Sequence, residues 1–536
     1  MSRRNAFIVY VLLIFILCLS GVLFGQRVID LDKVWGDMRV LGKAADDLSG
    51  CAVAYGDING DGYMDIIIGA HYADPGDPAR ANAGETYVIF GSSSPPSTID
   101  LSTESADITV CGAAAYDHSG WAVGSGDVNG DGYDDIIIGA RWADPGGRNV
   151  AGETYVVFGD NYTSPPYTID LSSQSADITI YGDDAADESG YAVSSGDLNG
   201  DGFDDLIIGA PYADPGDPAR TYAGETYVIF GSGFPSPPYT IDLSTTPADI
   251  TVCGDDAGDE SGYAVSSGDV NGDGYDDIII GALCASPGGR NDAGETYVIF
   301  GASFPSSPYT IDLSTDLADI TFWGVADGDY FGRTVASGDI NADGYDDIII
   351  GAHMADPGGR SNAGETYVIF GFSTPYPAKY TIDLSVIPAD ITVCGDDAGD
   401  TSGIKVSSGD VNGDGYDDII IGAYRADPGG RSDAGETYII FGSSPSSPVT
   451  IDLSTTPADI TVCGDDANDV SGTAVTSGDV NNDGFDDLII GAYAADPGGR
   501  TDAGETYLIA GGGAFITAHG LGGKSWIKEF SLLASD

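Results

Sequence analysis

The residues with the clearest chemistry are oxygen donors that alternate along a short loop. Counted from Asp127, side-chain oxygens stand at positions 1, 3, 5 and 9, in Asp127, Asn129, Asp131 and Asp135. A glycine occupies position 6, where the loop must turn sharply, and Tyr133 at position 7 offers its backbone carbonyl. Ca²⁺ takes six to eight oxygen ligands at roughly 2.3–2.6 Å. The pattern therefore predicts a calcium loop.

The loop does not continue as an EF-hand. An EF-hand has Glu at position 12 followed by a helix, whereas position 12 here is Ile138, inside the run Ile136-Ile137-Ile138. Three β-branched residues in succession are typical of a buried strand. The ion would thus lie in a strand-to-strand hairpin closed by Asp135. For one copy, an Asp/Asn/Gly turn without metal is an alternative, but repetition favours calcium.

The loop recurs seven times at spacings of 69 to 72 residues, which indicates a repeat architecture. We expect about seven Ca²⁺ ions, one per repeat. The predicted ligands are Asp57, Asn59, Asp61, Tyr63 and Asp65; Asp127, Asn129, Asp131, Tyr133 and Asp135; Asp197, Asn199, Asp201, Phe203 and Asp205; Asp269, Asn271, Asp273, Tyr275 and Asp277; Asp339, Asn341, Asp343, Tyr345 and Asp347; Asp410, Asn412, Asp414, Tyr416 and Asp418; Asp479, Asn481, Asp483, Phe485 and Asp487.

The elements that position these loops are short strands. Each repeat contains four short runs rich in β-branched and aromatic residues, separated by Gly, Pro and Asp turns, with no helical periodicity. Four antiparallel strands per repeat, seven times over, favour blades arranged around a central channel. The predicted fold is an all-β, seven-bladed β-propeller of four-stranded antiparallel blades.

The two ends of the repeat region complement each other. Residues 27–42 resemble the end of a repeat, and the last repeat stops after Glu505-Thr-Tyr-Leu-Ile509 without that ending. We therefore expect the N-terminal strand to complete the last blade and close the ring, leaving no sheet edge open for aggregation.

The repeat resembles the FG-GAP repeat of integrin α-subunit β-propellers. Phe331-Gly332 supplies the "FG" and Gly209-Ala210-Pro211 the "GAP", with a calcium loop between these positions in every copy. Most copies have Ser-Gly for Phe-Gly, and His, Arg, Leu or Tyr for the Pro. The resemblance covers about residues 27–511. It implies a calcium-bound propeller that docks partners on the face opposite the calcium hairpins.

Residues 1–25 are typical of a signal peptide. Arg3 and Arg4 precede an almost wholly apolar stretch from Ala6 to Phe24. A retained signal anchor is the alternative, because this stretch is long enough to span a bilayer. We expect membrane association only if the segment is such an anchor. In both cases we expect an extracellular domain, secreted or at the cell surface. We assign residues 26–511 to the propeller and 512–536 to a C-terminal tail without a predicted function.

The net charge and the cysteine positions argue against a nucleic-acid partner and against disulfides between repeats. The formal net charge of −64 argues against nucleic acid, since phosphate binding needs clustered Lys and Arg. Cys111, Cys253, Cys394 and Cys463 share one repeat position, so they would lie on different blades, too far apart for disulfides. We expect them to be buried small apolar residues in a monomeric protein held together by calcium and packing.

No constellation for catalysis stands out. The four histidines have no Cys or His partner at metal-binding spacing, and no Gly-x-Ser-x-Gly turn leads into a helix. The repeated trio Asp144, Arg148 and Glu153 is interpreted as an internal clamp on a loop. We predict that the chain is not an enzyme.

A ligand site must break the sevenfold equivalence, and residues at the ends of the strands do so. Trp121, Trp142, Tyr191 and Tyr212 come from two adjacent repeats and could form an aromatic binding surface. The alternative is that they fill gaps between blades. The prediction is a recognition or adhesion module for protein or carbohydrate. One alternative is an extracellular polysaccharide-processing enzyme, because the resemblance extends to lyase propellers and to FG-GAP repeats that accompany a phospholipase domain, although we expect no separate catalytic domain in this chain. The other alternative is a structural surface-layer component.

Overall fold

The structure is a computed structural model that describes residues 27–512 except 34–35, 217, 235–236, 303, 305–306 and 373–378. The predicted signal or anchor segment and almost all of the predicted tail lie outside the described residues. The described part contains strands, turns and five short 3₁₀ turns, at Pro145–Gly147, Pro287–Gly289, Pro357–Gly359, Pro428–Gly430 and Pro497–Gly499. None of its helices is long and apolar enough to cross a membrane.

The strands are, in chain order, β1 (Arg27–Asp30), β2 (Met38–Leu41), β3 (Ala52–Gly56), β4 (Asp65–Ala70), β5 (Glu85–Ile89), β6 (Thr98–Asp100), β7 (Ile108–Cys111), β8 (Ala122–Gly126), β9 (Asp135–Ala140), β10 (Glu153–Val157), β11 (Tyr167–Asp170), β12 (Ile178–Tyr181), β13 (Ala192–Gly196), β14 (Asp205–Ala210), β15 (Glu225–Ile229), β16 (Tyr239–Asp242), β17 (Ile250–Cys253), β18 (Ser261–Gly268), β19 (Asp277–Ala282), β20 (Glu295–Ile299), β21 (Tyr309–Asp312), β22 (Ile320–Trp323), β23 (Thr334–Gly338), β24 (Asp347–Ala352), β25 (Glu365–Ile369), β26 (Tyr380–Asp383), β27 (Ile391–Cys394), β28 (Lys405–Gly409), β29 (Asp418–Ala423), β30 (Glu436–Ile440), β31 (Val449–Asp452), β32 (Ile460–Cys463), β33 (Ala474–Gly478), β34 (Asp487–Ala492) and β35 (Glu505–Ile509).

The strands form seven sheets, and we number these blades 1 to 7 by their innermost strand. From the centre outward, their strand orders are β3-β4-β5-β7-β11, β8-β9-β10-β12-β16, β13-β14-β15-β17-β21, β18-β19-β20-β22-β26, β23-β24-β25-β27-β31, β28-β29-β30-β32-β1 and β33-β34-β35-β2-β6. The innermost strands neighbour one another in a closed cycle, with β3 next to both β8 and β33. The fold is the predicted seven-bladed β-propeller.

The apolar runs explain how the blades pack. The second strand of every blade is buried along its whole length. In blade 2, Ile136 and Ile138 pack toward blade 1, whereas Ile137 packs toward blade 3. A strand buried on both faces needs apolar residues at every position, so a continuous run replaces the usual alternation.

The prediction of four strands per blade is wrong, because each sheet has five. We call the fifth the edge strand. It pairs parallel with the fourth strand and, in blades 1 to 5 and 7, comes from the following repeat, as β16 does when it pairs with β12 of blade 2. It lies in the Pro/Ser-rich connection of the sequence. Its three or four residues are partly exposed and give little apolar signal, so the sequence did not reveal it.

The N-terminal segment supplies strands to two blades. β2 pairs antiparallel with β35 of blade 7, and β1 pairs parallel with β32 as the edge strand of blade 6. Ile29, Leu31, Met38 and Val40 are buried in the two clusters that flank blade 7.

The cysteines are as predicted. All six within the described residues are free, and Cys111, Cys253, Cys394 and Cys463 are buried. Each of these four thiols lies beside the glutamate that begins the blade's third strand, with Sγ to Oε1 distances of 3.4 to 3.7 Å.

Candidate functional site

Each predicted calcium loop joins the first and second strands of a blade, and we call it the Asp loop. In blade 2 the Asp127 carboxylate accepts hydrogen bonds from the backbone N–H groups of Asp131 and Gly132, at 3.0 and 2.9 Å. The Asp131 carboxylate accepts one from the N–H of Tyr133 at 3.1 Å. The sequence of alternating carboxylates thus folds into a tight turn with its acidic groups gathered at one end of the blade.

The carboxylate at position 9 is the most deeply placed. Asp135 is fully buried and accepts hydrogen bonds from Gly159 N–H at 2.9 Å, Val128 N–H at 3.1 Å and the amide of Asn129 at 3.1 Å. Burial, together with the nearby carboxylates of the same loop, raises the pKa of Asp135 to about 8. A positive charge beside this carboxylate would favour its ionised form.

The donor set fits a hard cation. Asn271 and Asn341 each leave the side-chain Oδ1 atom buried without a hydrogen-bond donor. All side-chain acceptors at positions 1, 3, 5 and 9 are oxygens, because the amide nitrogen of asparagine is a donor only. In the described part of the chain, however, no three His, Cys, Asp or Glu side chains are already clustered to hold a metal.

The aspartate at position 8 has a separate role, which the sequence did not reveal. Asp134 of blade 2 accepts a hydrogen bond from Asp57 N–H of blade 1 at 2.7 Å. Equivalent bonds link the next five pairs of blades. In blade 1 Met64 occupies this position, and its N–H bonds to the carbonyl of Asp479 at 3.2 Å. The Asp-Asp doublet therefore combines a loop carboxylate with a tie between blades.

The predicted ligand residues lie at the other end of the hairpins. In blade 2, Gly126 pairs with Asp135 beside the Asp loop, whereas Ala122 pairs with Gly139 at the far end. Trp121 directly precedes Ala122, so it lies roughly 15 Å from the loop at about 3.3 Å per residue. The loops and the aromatic residues thus occupy opposite faces of the ring.

The four predicted aromatic residues form one connected cluster. The ring centroids of Trp121 and Tyr191 are 5.7 Å apart, and those of Tyr191 and Tyr212 are 6.0 Å apart. The guanidinium carbon of Arg141 lies 3.5 Å from the Trp121 ring centroid and 5.1 Å from that of Trp142. Trp142 is 37% exposed. The structure therefore brings the four together and adds Arg141, which sequence reasoning did not include.

Histidines complete this cluster in their neutral form. His118 stacks on Trp142 with ring centroids 4.2 Å apart. Burial, followed by the charge of Arg141, lowers the pKa of His118 to about 4, and burial lowers that of His71 to about 3. Both rings are uncharged at neutral pH and pack beneath the exposed part of the cluster.

A cavity of about 440 Å³ opens where the innermost strands begin. We call it the channel mouth, and it is lined by Trp121, Tyr191, Tyr263, Arg333 and Lys405 among others. Its lining residues come from all seven blades, so no single repeat could have shown it.

The predicted clamp is built differently from the sequence interpretation. Arg148 pairs with Asp242 on the edge strand at 2.8 Å and donates to the carbonyl of Gly182, whereas Glu153 accepts from the hydroxyl of Tyr155. The same arginine-aspartate pair occurs in every blade. Asp144, Arg148 and Glu153 therefore do not form a mutual trio, and the arginine fastens the edge strand.

The ring of hairpins with repeated Asp loops defines a β-propeller of the kind built from FG-GAP units. The family model for the FG-GAP repeat matches residues 50–89, 119–157, 189–229, 261–299, 331–369, 402–440 and 471–509, which together cover just over half of the chain. The chain belongs to the FG-GAP repeat family, as the predicted resemblance implied.

Two groups of curated proteins are similar to this chain. It is 28% identical to phosphatidylinositol-glycan-specific phospholipase D of Rattus norvegicus over 63% of this chain and 38% of that protein. For the Homo sapiens protein of that name the values are 27%, 70% and 43%. For integrin alpha-PS2 of Drosophila melanogaster they are 28%, 58% and 21%. The chain spans less than half the length of these relatives.

The comparisons correct one prediction. The sequence led us to expect a protein that is not an enzyme, but several relatives at 27 to 34% identity are named as a phospholipase D, which is an enzyme. That expectation is wrong. It rested on the absence of a recognisable catalytic motif, and such an absence does not exclude an activity.

Proposed function

We propose that this propeller is an extracellular, calcium-stabilised recognition module that binds protein or carbohydrate at the aromatic cluster beside the channel mouth. The observation that carries the proposal is the continuous cluster of Trp121, Arg141, Trp142, Tyr191 and Tyr212, partly exposed on the face opposite the Asp loops. Aromatic and arginine side chains in such clusters dominate the binding energy of interfaces. Within the described residues, the connected aromatic contacts on this face run through blades 1 to 4, so one side of the ring is the more aromatic.

Calcium is proposed for the Asp loops, with ligands such as Asp127, Asn129, Asp131, Asp135 and the carbonyl of Tyr133. A bound divalent cation would offset two of the three negative charges of the loop carboxylates and stabilise the hairpin that starts the second strand. The unpartnered Oδ1 atoms of Asn271 and Asn341 support this assignment. The ions would have a structural role, since the loops lie on the face opposite the ligand site.

Retention on immobilised ligands tests recognition. The protein starting at residue 26 is passed over a panel of polysaccharides and cell-surface proteins, in calcium and in chelator. We expect calcium-dependent retention by at least one ligand class and a loss of about tenfold or more in affinity for Trp142→Ala with an unchanged melting temperature. If Trp142→Ala lowers the melting temperature and leaves retention intact, the aromatic residues serve packing between blades and the proposal fails.

Chelation tests the calcium assignment separately. Removing calcium with EGTA leaves three carboxylates and an asparagine together in each loop, so we expect a lower melting temperature that calcium restores and magnesium does not. Asp135→Asn should weaken one site only. An unchanged melting temperature in EGTA would contradict the assignment.

A second candidate is action on phosphatidylinositol glycans, because several relatives are named for that substrate. The propeller would then accompany or contribute to hydrolysis of the glycan anchor. The test is release of a glycan-anchored protein from vesicles on incubation with the full chain, measured as transfer of the protein to the soluble fraction. Release above that of a heat-inactivated control supports this candidate, and no release at micromolar protein contradicts it.

A further inference from the structure

Most basic side chains of this protein are matched with a carboxylate, but a group at the channel mouth is not. The seven repeated arginines each pair with an edge-strand aspartate, and Arg141 pairs with Glu188 at 3.0 Å. Within the described residues, Arg333, Lys405 and Arg425 make no ion pair with a carboxylate. We call these three residues the cationic group.

The cationic group lies on one side of the channel mouth. Arg333 directly precedes the innermost strand of blade 5, and Lys405 begins that of blade 6; both line the cavity. The guanidinium carbon of Arg425 lies 5.2 Å from the ring centroid of Tyr424, which also lines it. Lys405 is exposed to the open channel, and partial desolvation by the channel walls, followed by the charge of Arg333, lowers its pKa to about 8. Like charges are thus held together without a counter-ion.

The absence of acid here is unusual for this protein. The chain has 84 Asp and Glu residues against 20 Lys and Arg, yet no described residue that lines the cavity is acidic. At physiological ionic strength the screening length is about 8 Å, so the Asp loops on the opposite face contribute little to the potential at the mouth. Glu188 and Glu260 lie near Tyr212, outside the cavity lining, so the positive charge is confined to the side of the mouth that holds the cationic group.

The opposite side of the mouth is aromatic. Tyr263 connects the two sides, because the guanidinium carbon of Arg333 lies 4.8 Å from its ring centroid and Tyr191 is 4.7 Å from it, centroid to centroid. Trp121 continues this wall beyond Tyr191. Flat aromatic faces pack well against the C–H faces of a sugar ring, while the cations supply charge-assisted hydrogen bonds.

We propose that the channel mouth binds an anionic saccharide, with its ring on the wall formed by Trp121, Tyr191 and Tyr263 and its carboxylate, sulfate or phosphate on Arg333 and Lys405, with Arg425 adding positive charge nearby. The inference rests on the proposed recognition function and specifies its ligand class. A cavity of about 440 Å³ is within the range of small-ligand sites. A neutral sugar would leave the cations uncompensated, and a cationic ligand would be repelled.

Calorimetric titration of the full-length chain in calcium tests the proposal. The probes are digalacturonate, galactose 6-sulfate and galactose 6-phosphate, with digalactose and galactose as their uncharged counterparts. We expect at least one anionic probe to bind ten or more times tighter than its uncharged counterpart, because the uncharged sugar lacks the group that accepts charge-assisted hydrogen bonds from the cations. Lys405→Gln and Arg333→Gln should each weaken that binding about tenfold or more.

Two controls separate charge from stability. Lys379→Gln removes one positive charge from a partly exposed residue whose only described ion pair, with Asp316, is long at 4.0 Å, and should leave binding unchanged. Lys405→Arg keeps the charge and should retain binding. Lys405→Gln removes a repulsion and should keep or raise the melting temperature, so lost binding cannot be assigned to unfolding.

Each remaining outcome contradicts the proposal. Equal affinity for charged and uncharged probes, binding unchanged in both glutamine variants, or tighter binding of an acidic peptide such as hexaglutamate would each overturn the saccharide assignment. If no anionic probe binds while the protein is still retained on a protein or neutral polysaccharide, this inference fails and the recognition function stands. If nothing on either panel is retained, the recognition function fails as well.

Discussion

Removing residues 26–41 should destabilise the whole ring, because this segment belongs to two blades. β1 is the edge strand of blade 6 and β2 is the fourth strand of blade 7. Five apolar side chains of the segment are 0 to 8% exposed, namely Ile29, Leu31, Met38, Val40 and Leu41. Deletion would expose their partners and two unpaired strand edges.

The size of the effect follows from this burial. At roughly 1.5–3 kcal/mol per buried side chain the five contribute about 8–15 kcal/mol, and residual burial in the unfolded chain reduces this to about 5–12 kcal/mol. Natural domains are stable by only about 5–15 kcal/mol. The unfolding entropy of a ring of this size is roughly 1 kcal/mol/K, so we expect the melting temperature to fall by about 5–12 °C or the cooperative transition to disappear.

Differential scanning calorimetry can measure this against the protein that starts at residue 26. Val40→Ala in that protein should give a smaller loss of about 1–3 kcal/mol. A synthetic peptide of residues 27–42 added to the shortened protein should restore much of the transition, since it can refill both strand positions. If the shortened protein melts at the same temperature with the same enthalpy, the segment does not close the ring and the reasoning is refuted.

Three further results are expected. Asp242→Asn, which removes the partner of Arg148, should lower the free energy of unfolding by about 0.5–2 kcal/mol, and a double-mutant cycle with Arg148→Met should recover the coupling energy. Burial, followed by the charge of Glu225, raises the pKa of Asp187 from 3.8 to about 7, so the free energy of unfolding should fall as the pH rises from about 4 to 7. Asp187→Asn should flatten that fall and raise the free energy of unfolding at pH 8 by on the order of 2–4 kcal/mol, measured by urea denaturation. Gly152→Ala should cost several kcal/mol because its Cβ would lie 2.0 Å from the Ser189 carbonyl oxygen, whereas Gly147→Ala, also at positive φ but with nothing within 4 Å, should cost only about 1–2 kcal/mol in the same assay.

The sequence was sufficient for the repeated core of the fold. The spacing of the Asp loops and the apolar runs beside them predicted seven blades, and Ile136-Ile137-Ile138 is such a run because it is buried against two neighbours. The edge strand was missed because its residues are half-exposed and its partner belongs to the preceding repeat. Local patterns do not record that kind of pairing.

The candidate site was predictable only in part. Trp121, Trp142, Tyr191 and Tyr212 were found because they interrupt the equivalence of the repeats. Arg333 and Lys405 were not predicted as ligand residues, because their role depends on a cavity lining without carboxylates, which forms only when the seven blades assemble. The role of the position-8 aspartates was not predicted, because sequence neighbours cannot reveal a hydrogen bond to another blade.

The edge strand also sets the unit by which such a ring could have grown. Each genetic repeat contributes strands to two successive blades, and its arginine fastens a strand encoded by the next repeat. Duplicating one whole repeat in the gene would therefore insert a blade whose strands all find partners. A duplication that begins or ends at a blade boundary would leave one edge strand unpaired. Because successive repeats overlap in this way, the number of blades can change only by the gain or loss of whole repeats.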